Sequence, residues 1–423
     1  MTWAATYADV IERLDAQVAK ARLTLCGLSA CVDATVSLHD AGAFLGSIDD
    51  PQAARFAAAL LARAAAGTGG EIKVDWAHGP AWLDERVPFK RELGGTGPHA
   101  ARVLTTLGAP ALLALEVRSP EQLSVLDPEL PLASGDRIVP AKSVIADRSN
   151  AIKTYIFEYT RGRPLGAVTP PRSSRIIVRF DDPGLQNDRD FKLLSCRLAP
   201  EAGAAILSGF NTVGPDELAS ALARTRDLAS RWRSAGIPAI HLELAGYAQP
   251  EYRDAALAAF TGCVTSVGMS LSEFHALVPQ TELASGMRAL GDRLGVRRVC
   301  VHADDWAGAA TLDDPARERD ALLMGSLVAS ARAAHGRPLV PRALPPGAAF
   351  TQPPDLPESL GDWRFIACAV PYLEQPATTL GLGDTFMAGC LLVLGAADPS
   401  RTPRSLTPQP AIVAEAGDPS RSR

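Results

Sequence analysis

Among the seven cysteines of this 423-residue chain, no two form a C-x-x-C pair. Cys26, Cys300 and Cys368 stand inside apolar, strand-like runs, where a thiol acts as a small hydrophobe. An odd count without metal-ligand spacing argues against a disulfide framework and for a reducing compartment, so a cytoplasmic protein is expected. Excess basic charge is also missing. The formal net charge is −5, which excludes a broad surface for neutralising a nucleic-acid backbone and requires any small anionic ligand to find a local positive site. The longest apolar stretch, residues 103–117, is interrupted by Gly108 and Pro110 and is too short to span a bilayer. The first residues carry early acidic groups and space Trp3, Tyr7, Val10, Ile11, Leu14 and Val18 along one helix face, the pattern of an amphipathic helix and not of a secretion signal. There is no G-x-x-x-x-G-K-[ST] loop, no H-R-D-L catalytic loop and no H-E-x-x-H helix, which excludes P-loop kinases, protein kinases and zinc proteases of that type. No internal repeat is evident.

What the chain does contain is alternation. Apolar residues make up 47% and charged residues 21%, the balance of a globular enzyme. Short apolar runs (ARLTLCGL, ALLALEV, AAILSGF, AIHLEL, VTSVGM, RRVCVHA, RFIACAV) read as strands. Between them lie helical patterns such as PDELASALARTRDLASRWRSAG, which stops at Gly236 with Pro238 beyond. Strand–helix alternation with strands buried on both faces predicts an α/β fold with a mainly parallel sheet and helices on both sides. Two excursions break the rhythm. Residues 60–92 hold an Ala-rich helix followed by EIKVDWAHGPAWLDERV, and residues 147–182 alternate β-branched and aromatic residues about a Gly/Pro turn, a hairpin pattern. Together they predict a small β-rich lid on a core built from residues 1–59, 93–146 and 183–396. The tail, 397–423, is rich in Pro, Ser and Arg without periodicity and is expected to be disordered.

The segment most able to carry chemistry is TTLGLGDTFMAGCLLVL, residues 378–394. Its glycines precede an aspartate and an apolar helix, which places the 381–384 backbone at a helix start, where free N–H groups and the dipole favour an anion. Asp384 would then stand beside a transferring phosphoryl group as a base. From spacing alone, an equal alternative is that Asp384 or Thr385 only caps the helix. His241 and Glu243 lie two apart on one side of a strand, and they either belong to a site or cap neighbouring loops. Trp76, Trp82 and Tyr155 either cover a ligand from the lid or pack that subdomain, and packing is the simpler reading.

The GLGDT helix start resembles the G-x-G-D signature of ribokinase-like kinases. Further segments resemble, in the same order, the ADP-dependent glucokinase and phosphofructokinase branch: GGTG (94–97), IFEYTRG with RIIVRFDD (156–162 and 175–182), ILSGF (206–210), HLELA (241–245), SVGMSLSEF (266–274) and RRVCVHA (297–303). The resemblance implies a ribokinase-like carbohydrate kinase that transfers a phosphoryl group from a nucleotide, ADP before ATP, to a hydroxyl of a sugar or sugar phosphate. It also implies roles by position. Asp384 would be the base, with Gly381, Leu382 and Gly383 forming the anion hole. Glu243 and Glu273, with Asp384, would hold Mg²⁺, largely through water. Arg179 and His302 would meet the nucleotide. Asp33, Gly94, Gly95 and Thr96 would bind the acceptor.

The chain departs from that pattern mainly on the acceptor side. Ser270 replaces the asparagine of N-x-x-E, Thr96 replaces a long amide, and Cys31 stands where an asparagine is usual. In the lid Glu85 lies two residues past the glutamate position of glucose-selective members. Arg161, Arg163 and Arg172 could meet a phosphorylated acceptor or be solvated hairpin charges. These departures leave open a weakly catalytic sugar- or nucleotide-binding relative. Residues 95–100, GTGPHA, with Glu116 beyond, also match a dinucleotide-binding outline, which would suggest an NAD-dependent oxidoreductase. The residues before it, ERVPFKREL, are too charged for the buried strand that fingerprint requires.

Overall fold

In a computed structural model, the protein is described over residues 2–41, 50–150, 153–279 and 281–397; residues 398–423 of the expected tail lie outside them. The main sheet has eleven strands in the order Ser359–Leu360, Trp363–Ala369, Trp306–Thr311, Arg298–His302, Ser266–Ser270, Ala239–Glu243, Ala202–Leu207, Leu23–Cys26, Ala111–Leu113, Pro131–Ser134 and Arg137–Pro140. Neighbours from Arg298–His302 across to Pro131–Ser134 run parallel, and the outer pairs are antiparallel. Every apolar run read as a strand contributes one. Ala202–Leu207 and Ala239–Glu243 are buried along their whole length, as strands covered on both faces must be. Trp306–Thr311 escapes sequence reading because WAGAAT is mostly small residues with no alternation, and its pairing with Arg298–His302 and Trp363–Ala369 makes it a strand.

A second, five-stranded sheet has the order Gly70–Lys73, Ser174–Arg179, Lys153–Tyr159, Cys31–Ser37, Lys90–Gly94. Lys153–Tyr159 and Ser174–Arg179 form the expected antiparallel hairpin. This sheet draws on more chain than the two excursions. Cys31–Ser37, assigned above to the core, pairs with Lys153–Tyr159 and Lys90–Gly94, and the helix Pro51–Ala65 buries Phe56 and Leu60 against it. The reason lies in the connection: only GLSA separates Leu23–Cys26 from Cys31–Ser37, with no polar loop to mark the change of sheet. Lys90–Gly94 is an edge strand with exposed Lys90, Arg91 and Glu92, so the glycines of 94–97 follow an edge of the small sheet and not a central strand, which removes the dinucleotide-binding outline. Trp76 and Tyr155 are buried in the small layer's own core: Trp76 packs on Phe56, Trp82 and Phe180, and the Tyr155 hydroxyl donates to Asp84 at 2.6 Å. Arg161, Arg163 and Arg172 are exposed and paired with Glu374, Asp40 and Asp304, the solvated outcome. Glu85 is exposed and pairs with its neighbour Arg86.

Beneath the carboxyl ends of the main strands runs a buried ionic link. Arg298 donates through Nε to both oxygens of Glu318 at 2.9 and 3.0 Å, both residues being buried. Each charge there depends on the other, because an unpaired ion in the interior carries a heavy desolvation cost. Replacing Arg298 by Met should lower stability by about 3–5 kcal/mol, and adding Glu318→Leu should recover most of the loss; denaturant unfolding of the single and double variants measures both.

Candidate active site

The helix Leu382–Leu394 begins at Gly381, whose φ of 66° and ψ of 19° are left-handed, and no side chain caps it. That removes the capping alternative for Asp384 and Thr385 alike. Only glycine takes this conformation cheaply, and space makes the same demand: a Cβ on Gly381 would lie 2.6–2.7 Å from the Arg332 guanidinium. The turn is closed from inside. Thr385 donates its N–H and its hydroxyl to the Gly381 carbonyl at 3.0 and 2.7 Å, and Arg332 Nη1 donates to the same hydroxyl at 3.0 Å. The first-turn amides of an uncapped helix are open to an anion.

Asp384 lies in that first turn, half-buried. Burial pushes its pKa above the usual carboxylate range; a hydrogen bond from Thr96 and the charge of Arg332 act the other way, and Glu243 adds to the rise. The expected acceptor residues gather opposite. Asp33 pairs across the small sheet with Glu92, and its Oδ1 would be 2.3 Å from a Cβ on Gly94, so only glycine lets the strands close here. Gly95, at φ 94°, crosses the Ser29 carbonyl, and Thr96 N–H donates to Ser29 Oγ at 3.2 Å, itself 3.0 Å from Ser208 Oγ. Burial first, with the charge of Asp384 contributing, holds Asp33 well above the usual carboxylate range. Cys31 Sγ donates to Asp33 Oδ1 at 3.5 Å, so a weak thiol donor occupies the place where relatives of this pattern carry an amide.

The carboxyl ends of the neighbouring strands supply the remaining carboxylates. Glu243 is buried between two imidazoles, with Oε2 2.8 Å from His241 Nε2 and Oε1 3.4 Å from His302 Nε2. Burial opposes its ionisation, but the two histidines more than compensate and hold it down at about 2. Burial pushes His241 below its ordinary range, so a neutral ring donates Nε2–H to Glu243 while Nδ1 accepts from Ser266 Oγ at 2.8 Å. His302 moves up: burial alone would lower it, and Glu243, Glu273 and Asp384 outweigh that. All three carboxylates therefore act on one imidazole. Glu273 caps a helix: its Oε2 accepts the Ser270 N–H at 2.7 Å in a capping box with the Ser270 hydroxyl; Ser270 in place of asparagine is thereby a helix cap.

The two residues expected to meet a nucleotide are placed differently from one another. His302 packs on Phe386 with ring centroids 5.3 Å apart, and its Cε1 would be 3.2 Å from a Cβ on Gly383, against the glycine turn. Arg179 is buried and committed inward, to Glu71, to Asp182 at 2.9 Å and to the Asn211 carbonyl at 2.9 Å. Sequence reading missed Glu158, Arg175, His99 and Arg332. Glu158, from the small sheet, accepts from the Thr378 hydroxyl, the Thr379 N–H and the Thr379 hydroxyl at 3.2, 3.0 and 3.2 Å, joining that sheet to the chain leading into Gly381. Arg175 and Arg332 both act electrostatically on Asp384. A signal for Arg332 was present: it is a charge on the Gly325–Val328–Arg332 stripe of the helix Pro315–His335, whose Gly325 and Val328 pack against Gly389.

Comparison with known proteins bears on the family and the fold. Residues 24–393 match the family described as "ADP-specific Phosphofructokinase/Glucokinase conserved region". The ADP-dependent glucose/glucosamine kinase of Pyrococcus furiosus is 22% identical over 292 residues, which cover 60% of this chain and 64% of that protein; the chain thus aligns with somewhat less than two thirds of that relative's length. An ADP-dependent kinase in complex with fructose-6-phosphate and ADPβS has the same fold, with a TM-score of 0.79 at 19% identity over 94% of this chain and 99% of that one. A phosphofructokinase from Pyrococcus horikoshii OT3 with AMP gives 0.68 at 18% identity, over 89% and 98%. With a ribokinase-like α/β fold and a match running from the first core strand into the glycine-turn helix, the chain belongs to the ADP-specific phosphofructokinase/glucokinase family.

Proposed function

We infer that this protein is a carbohydrate kinase, transferring the terminal phosphoryl group of ADP to a hydroxyl of a sugar or sugar phosphate. The observation that carries the reading is Asp384, in the first turn of an uncapped helix, facing Thr96 and the Asp33–Gly94 cluster. An acceptor hydroxyl held by Asp33 and the 94–96 backbone gives its proton to Asp384 as its oxygen attacks phosphorus. The bond to the leaving AMP oxygen breaks in line, and the amides of Leu382 and Gly383, at the left-handed Gly381 start, hold the migrating group. The small sheet covers the cleft and, through Glu158, steadies the approach to Gly381; excluding water keeps the phosphoryl group for the sugar. Cytoplasmic placement fits the seven free cysteines, and no helix among the described residues is long and apolar enough to cross a membrane.

The donor set suits Mg²⁺ held through water. Its groups are hard carboxylate oxygens, yet no three potential ligands among the described residues stand close enough to hold a metal ion directly. Glu243, Glu273 and Asp384 would hold the hydrated ion, which when bound would offset phosphate charge. His241 and His302 keep Glu243 ionised for that task.

Asp384→Asn should lower kcat by about 10²–10⁴-fold while changing the nucleotide KM little; near-normal kcat in steady-state assays would rule the base out. Because Asp384 works as a carboxylate and its pKa is raised, kcat/KM should fall on acidification with a midpoint above the ordinary carboxylate range, and the pH–rate profile reads this directly. A panel of sugars and sugar phosphates offered ADP, ATP and pyrophosphate should yield AMP with ADP and one acceptor. Nucleotide binding without AMP or ADP release on any acceptor would defeat the kinase reading.

A further inference from the structure

Three arginines are buried among the described residues: Arg179, Arg298 and Arg332. Arg298 is paired with Glu318, and Arg179 with Glu71 and Asp182. Arg332, only 3% exposed, has neutral partners alone: Thr385 Oγ1 at 3.0 Å and His99 Nδ1 at 3.3 Å, with its Nε unpartnered among the described residues. His99 cannot serve as a counter-charge, since it is itself buried and held well below its ordinary range by burial and by Arg332. Burial pushes Arg332 down to about 10, so it remains charged at neutral pH. A buried cation without a bonded anion is costly, and such groups persist where another species completes them. Asp384 feels this charge but makes no hydrogen bond to it. The place where an anion can complete it is the helix start directly in front, because the guanidinium sits against Gly381 and ties down Thr385, the residue that closes the first turn.

We propose that Arg332 is a positioning residue for phosphoryl transfer, a fixed positive charge behind Gly381 whose counter-ion is the migrating phosphoryl group at the start of the helix Leu382–Leu394. This rests on the phosphotransferase reading above. The charge acts through the turn and the helix-start amides and does not need to touch the phosphate. It matters most as negative charge spreads over the transferring oxygens, so it bears on kcat more than on nucleotide binding. The same argument predicts that the free protein is no more stable for having it.

The test compares Arg332→Met and Arg332→Lys with the parent protein, reading kcat, both KM values and the melting temperature. The Met variant should lose about 10–100-fold in kcat with the nucleotide KM within roughly threefold, and should melt no lower than the parent, because an unpaired buried charge has been removed. The Lys variant should recover most of the lost rate. A Met variant with kcat within roughly threefold of the parent overturns the proposal. So does a rate loss that accompanies a lower melting temperature and that lysine does not recover, which marks a structural tie between the two helices. If the Met variant fails to fold, Arg332→Gln is read in its place, and failure of both to fold counts as the same structural outcome. Asp384→Asn separates the two levels: turnover retained there sinks the base assignment, whereas an inactive Asp384→Asn beside a normal Arg332→Met sinks only the role of Arg332.

Discussion

The hydrogen bond from the Thr385 hydroxyl to the Gly381 carbonyl, 2.7 Å long, closes from within a helix turn that nothing caps from without. A helix start needs acceptors for its first amides, and most helices here find them in a side chain, as Asp188, Glu282 and Asp314 show. Leu382–Leu394 does not. Its turn is held by Thr385 and Arg332 on the inner side, leaving the outer amides without a side-chain cap. Close packing makes this possible: Gly325 and Gly389 let the helices Pro315–His335 and Leu382–Leu394 approach until a Cβ on Gly389 would lie 2.7 Å from the Gly325 Cα, which brings Arg332 beneath Gly381.

Around that turn the fold gathers carboxylates from four different segments: Asp33, Glu243, Glu273 and Asp384. Burial is the first cause of the raised pKa values of Asp33 and Asp384 and neighbouring carboxylates add to it, while His302 is raised against its own burial by Glu243, Glu273 and Asp384. Such a cluster is tolerable where cations arrive from outside or stand by unpaired. Arg175 and Arg332 are the standing cations, and a hydrated divalent ion is the arriving one in the function proposed above. The network Glu318–Arg298–Ser266–His241–Glu243 anchors one of these carboxylates, buried Glu243, to the sheet by a chain of hydrogen bonds at 2.8–3.3 Å.

Much of this was readable in advance because it is local. The seven apolar runs became strands, since a strand buried on both faces must be apolar throughout, and Gly381 became a helix start because glycine, aspartate and an apolar helical run have few other uses together. The hairpin was equally plain from its alternation. What could not be read depends on partners distant in the chain. Cys31–Ser37 has the composition of a core strand and joins the other sheet only because Lys90–Gly94 and Lys153–Tyr159 flank it. Arg179, read as a phosphate ligand, meets Glu71 and Asp182 instead, and no spacing rule foretells a partner 108 residues upstream.

The sequence by itself thus determined the layered α/β architecture, the hairpin and the glycine-lined helix start, each written within a window of a few residues by periodicity and backbone freedom. Only the tertiary structure decided which carboxylates act on one imidazole, that Glu273 caps a helix, and that Arg332 is left without a bonded counter-charge among the described residues. Those are matters of distance between remote segments, and charge interactions are set by distance and burial, neither of which a linear order of residues contains.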